Sequence, residues 1–256
     1  MGQLKSGIAE LQKLLTDMEP RLKVVGEIVD KGGDRVQELG KTVDQGYDVL
    51  YLYLTEKYKK SGSTPDAHAG DTLKAIADPN IIQNVKGIAT WKNDLKAEIA
   101  KMNNELKKAK DDLLNKLTSA ETQALTLKKL AEKKKDKWFK SAKYKEKIKT
   151  YLASLDIILK SLKTAMDDVK GTTSMFTDAW VEKNFPANAD MTVAQVKDRS
   201  SMDLNTALTV YAKNKAEIDQ HVRKWRDEYK SIPGQLATMK KWVDEADAME
   251  KEAEEK

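Results

Sequence analysis

The chain has 256 residues, of which 34% are charged and 40% apolar, and a formal net charge of +5. So little apolar material excludes a thick globular core and suits narrow seams between helices. Cysteine is absent, which excludes a disulfide framework, a thiolate metal centre and a thiol nucleophile.

From Leu4 the apolar positions Ile8, Leu11, Leu15, Met18, Leu22, Val25 and Val29 follow in alternating steps of three and four, and the rhythm continues through Gly32, Val36, Leu39, Val43 and Gly46 to Leu50. That spacing holds one seam on one face of a helix over many turns. It predicts a first helix over about 3–60, kinked at Pro20 and ended by Ser61-Gly62-Ser63-Thr64-Pro65.

A second rhythm starts after Asp78-Pro79 with Ile81, Val85 and Ile88 and runs to Ala131, and a third runs from Ile148 through Leu152, Leu155, Leu159, Leu162 and Met166 to Val169. No Gly or Pro separates them, so the spacing favours one helix over 80–170, with a break near 132–137 as the alternative. Further helices are expected over 192–231, with Thr192 as N-cap, and over 234–252 after Pro233-Gly234. The expected fold is all-α: a single elongated domain over 1–256, an antiparallel helical bundle or coiled coil of three to five long helices.

Two stretches stand out as candidate functional residues. Gly26, Gly33 and Gly40 recur every seven residues beside the first seam, and Gly32 and Gly46 fall on it. Each interior glycine costs about 1 kcal/mol against alanine, so the stripe implies either close approach of a partner helix or a hinge. The second stretch is Leu127–Lys149, which holds eleven lysines against Glu132, Asp136 and Glu146, a local net charge of +8. Its candidate membrane- or partner-binding residues are Lys128, Lys129, Lys133, Lys134, Lys135, Lys137, Trp138, Phe139, Lys140, Lys143, Lys145 and Lys147, with Tyr144 and Tyr151 interleaved. Lysines mixed with aromatics on a helix suit an anionic membrane surface or an acidic partner.

At the C-terminus, residues 244–256 carry a local net charge of −5. Opposite blocks on one chain attract, either folding the tail onto the basic segment or joining molecules head to tail. Nucleic acid is disfavoured by that acidic tail and by the presence of only five arginines.

His68 and His221 are the only histidines, and neither has Glu-x-x-His spacing. No phosphate-binding glycine loop, HExxH or calcium loop occurs. The expectation is a non-enzymatic protein with no cofactor, no metal and no small-molecule substrate. The longest apolar run, Val49–Leu54, is far short of the roughly 20 residues that span a bilayer. The N-terminus lacks a secretory leader's apolar core, which fits a soluble protein that is cytoplasmic, or secreted after signal removal.

In layout, three long helices with the middle one longest and basic, the expected chain resembles BAR-type membrane-shaping modules, a likeness that implies membrane-surface binding. A pore-forming helical effector, with the glycine-bearing helix rearranging on a membrane, is the alternative.

Overall fold

The computed structural model describes residues 1–58, 68–136, 141–171, 177–184 and 187–254. The fold is all-α. Its helices are α1 (Gly2–Thr16), α2 (Met18–Tyr58), α3 (Ala69–Ala75), α4 (Pro79–Lys135), α5 (Ala142–Gly171), α6 (Asp178–Asn184), α7 (Val193–Lys230) and α8 (Ile232–Glu254), with a 3-10 turn at Asn188–Asp190. Ser61 to Pro65, the expected first break, lies outside the described residues. The chain divides into two compact units, Met1–Gly26 with Lys107–Thr173 and Ile218–Lys256, and Glu27–Leu106 with Ser174–Glu217.

In the first unit α1 and the start of α2 run antiparallel to the end of α4. Gln123 Nε2 donates to the Gly7 carbonyl at 3.3 Å, and Arg21 Nε donates to Asp112 at 2.7 Å. Helix α5 runs back along α4, as Lys128 bonding Asp156 at 2.8 Å and Thr118 facing Met166 Sδ at 3.9 Å require. Helix α8 lies along α5 and against α1. Leu4, Leu11, Leu117, Leu127, Tyr151 and Leu155 form a core with no solvent exposure.

The favoured single helix over 80–170 is therefore two. Lys133, Lys134 and Lys135 occupy the last turn of α4, where cations stabilise the negative helix end. The restart is a cap: Ser141 Oγ accepts from Tyr144 N at 3.2 Å, satisfying a first-turn donor of α5.

Two further interruptions are each one residue long. Asp17 separates α1 from α2 and Ser231 separates α7 from α8, with Pro20 and Pro233 in the first turns of the helices that follow. Proline is tolerated there because first-turn N–H groups have no intrahelical partner.

The second unit is built from α2, α4 and α7 segments with the short helices α3 and α6. Tyr47, Leu50, Leu54, Val85, Ile88 and Val193 belong to its buried cluster. Thr192 caps α7 as expected, its Oγ1 accepting from Gln195 N at 3.3 Å while Gln195 Oε1 accepts from Thr192 N at 3.0 Å. This reciprocal pair is a capping box. Arg35 reaches Glu98 at 3.3 Å, and Lys215 reaches Asp30 at 2.5 Å. Lys92 and Lys96 both bond Glu182 and hold its carboxyl down at about 2.

Candidate functional site

The described part of the basic segment forms the end of α4 and the start of α5. Its lysines divide into two sets. The engaged set faces the chain's own acidic helix. Lys134 lies 3.5 Å from Glu250, and Lys147 pairs with Glu245 while standing 4.2 Å over the Trp242 ring. Burial, then the neighbouring Lys143 and Lys241, pull the Lys147 ammonium below its ordinary value, so Glu245 and the ring face are what favour a charge there.

Glu250 is the centre of this network. It accepts from Tyr144 Oη at 2.8 Å and lies 3.8 Å from the Met1 ammonium, with only 17% of its side chain exposed. Burial, then this bond, raises the Tyr144 phenol above its ordinary range, while burial and the nearby Lys134 lower the Met1 amine. A turn further back, Lys5 reaches Asp247 at 2.8 Å and Asp244 at 3.1 Å, which raises the lysine and lowers the Asp247 carboxyl. The tail is thus folded onto the basic region within one molecule.

Of the remaining described candidate lysines, three are exposed. Lys129 and Lys133 on α4 and Lys143 on α5 point into solvent, and Lys145 is half-buried. Lys128 bonds Asp156 on α5, and Lys135 lies 3.8 Å from Asp136. Lys137, Trp138, Phe139 and Lys140 lie outside the described residues. The interleaved tyrosines are core residues, Tyr144 at 2% and Tyr151 at 0% exposure, and are not available to a surface. Both recur at seven-residue spacing with Ile148 and Leu155 near the seam, which is the signal that could have assigned them inward.

The glycine stripe also divides. A Cβ on Gly46 would stand 2.9 Å from the Asn84 carbonyl oxygen, so α2 and α4 approach backbone to backbone there. A Cβ on Gly32 would meet Met102 Sδ at 2.6 Å and Tyr211 Oη at 2.8 Å, and one on Gly33 the Tyr211 ring at 2.7 Å. Gly40 is buried. Gly26 is different, with nothing within 4 Å of its would-be Cβ. Gly32, Gly33 and Gly46 thus sit at close helix contacts, and Gly26 does not.

His221 lies beside Trp225 with ring centroids 6.4 Å apart. Among the described residues no group of His, Asp or Glu converges in a metal-binding arrangement, and no helix is long and apolar enough to cross a membrane. Comparison with protein-family models, with curated proteins and with solved structures found no match.

Proposed function

We propose that this chain is a non-enzymatic interaction protein, an elongated antiparallel helical bundle that docks on an anionic membrane surface through the lysine-rich turn between α4 and α5. The observation carrying this reading is the division of the lysines. The acidic helix takes up Lys134 and Lys147, whereas Lys129 and Lys133 near the end of α4 and Lys143 at the start of α5 stand exposed. Exposed lysines attract anionic headgroups, and the sequence between the two helices carries Trp138 and Phe139, residue types suited to the interface.

Each lysine near an anionic surface contributes about 1 kcal/mol, so removing three weakens binding by more than about a hundredfold. The test is co-sedimentation with phosphatidylserine-containing and with neutral vesicles. Binding to the anionic vesicles alone, lost in the K129E/K133E/K143E triple variant, supports the reading. Absent binding, or binding indifferent to the reversal, overturns it.

Self-association belongs to the same proposal. Leu125 on α4 and Ile157 on α5 are 44% and 46% exposed and stand near matching registers of the antiparallel pair, as the Lys128 to Asp156 bond sets it. Light scattering against concentration checks this: growth in mass that Leu125→Glu abolishes is expected, and a concentration-independent monomer contradicts it.

A further inference from the structure

The two one-residue helix breaks of the first unit stand side by side. Tyr229, next to last in α7, places its Oη 2.9 Å from Sδ of Met18, the first residue of α2. Pro20 and Pro233 carry no N–H, so neither can donate to the carbonyl four residues before it, at Thr16 and at Tyr229. Both helical lines are therefore interrupted at one level, and between them lies a cleft of about 590 Å³ lined from both sides of both breaks. That volume falls within the roughly 300–1,000 Å³ typical of small-molecule sites.

The cleft is chemically two-faced. Its floor is Ile8, Leu15, Met18, Ile232 and Leu236, each no more than 9% exposed. Its rim carries Arg226, Lys230 and Lys240 against two carboxylates, Glu19 in the lining and Asp227, which Lys230 meets at 2.5 Å. Arg226 reaches Glu19 at 3.5 Å with both side chains largely in solvent, and Lys240 is exposed. An aliphatic floor under a rim of net positive charge matches a molecule with an apolar body and one negative end.

We propose that this cleft binds a single-chain anionic amphiphile of the fatty-carboxylate class, its chain on the aliphatic floor and its head among Lys240, Lys230 and Arg226. Glu19 and Asp227 offset Arg226 and Lys230, so the net charge of the rim is that of Lys240; a cationic amphiphile meets that like charge, and a neutral one gains nothing from the rim. The site shares no residue with the lysine-rich turn, so it stands or falls separately from membrane docking.

The test is calorimetric titration of the full chain with decanoate, decanol and decyltrimethylammonium, each below its micelle-forming concentration. Decanoate should show one saturable site, with affinity rising about fourfold per methylene from octanoate. Decyltrimethylammonium should bind at least about tenfold more weakly, and Lys240→Glu should narrow or invert that preference. Two cleft-filling variants at exposed lining positions, Ala237→Trp on one wall and Gln12→Trp on the other, should each abolish decanoate binding with the helical circular dichroism unchanged. Absence of a saturable decanoate site overturns the proposal, as does equal affinity for the cationic chain or full binding in whichever filled variant folds.

Discussion

The two units use the same heptad rhythm and close their seams by a different balance of means, the first with one close glycine contact, Gly7 against Leu127, and the second with several. In the first, large side chains fill the space between helices: Trp225, Tyr144 and Tyr151 are buried at 2% exposure or less, and the acidic face of α8 meets basic groups of α1, α4 and α5. In the second, α2 removes side chains altogether at Gly32, Gly33 and Gly46, letting Tyr211, Met102 and the α4 backbone approach. A volume-filled seam should fail when atoms are deleted, and a glycine seam when they are added.

The largest effect expected from breaking that contrast is in the first unit. Trp225→Ala removes the largest fully buried side chain and should cost about 3–5 kcal/mol, read from chemical denaturation. The corresponding insult to the second unit is an addition. Gly46→Ala should destabilise by about 1–3 kcal/mol despite alanine's better helix propensity, because the obstacle is a backbone carbonyl that cannot rotate away.

Alkaline pH probes the seam around Tyr211, whose phenol burial pushes up to about 12. Because the folded value lies above the unfolded one, the contribution is complete below about pH 10 and is lost as pH rises from there through 12, at up to about 1.4 kcal/mol per unit. Denaturation midpoints measured at pH 9 and 11 should fall less steeply in Tyr211→Phe than in the parent. The smallest effect carries the opposite sign to the first two. Gly26→Ala should stabilise by about 0.5–1 kcal/mol, since nothing obstructs the new methyl group. Destabilisation by Gly26→Ala equal to that by Gly46→Ala would erase the distinction between the glycines.

Fold class was legible because period alone carries it: nearly every position of the first rhythm from Leu4 to Leu50 is buried, Leu39 being half-buried. Where the heptad count slipped, three-dimensional crowding is the reason. Gly40 and Tyr47 join the α2 seam, and Tyr151 and Ile158 are fully buried on α5 while Leu152 and Leu159 are only half-buried. Helix α5 packs against more than one neighbour, so its apolar face is wider than one stripe. The break after Lys135 was legible only as the alternative to one helix over 80–170, because its signals are a lysine cluster and a serine cap, weaker punctuation than Gly or Pro. The division of the lysines was not legible at all, since it depends on which of them α8 reaches.

That division is the centre of the account, and vesicle binding and thermal unfolding measured together on two charge-reversal sets test it most directly. K129E/K133E/K143E should lose phosphatidylserine-vesicle binding and keep its unfolding temperature. K134E/K147E, facing Glu250 and Glu245, should lose stability first, with vesicle binding at low temperature less reduced. Equal loss of binding in both sets with unfolding unchanged, or no loss in the first set, would contradict the assignment of the exposed lysines to an anionic surface and the engaged lysines to α8.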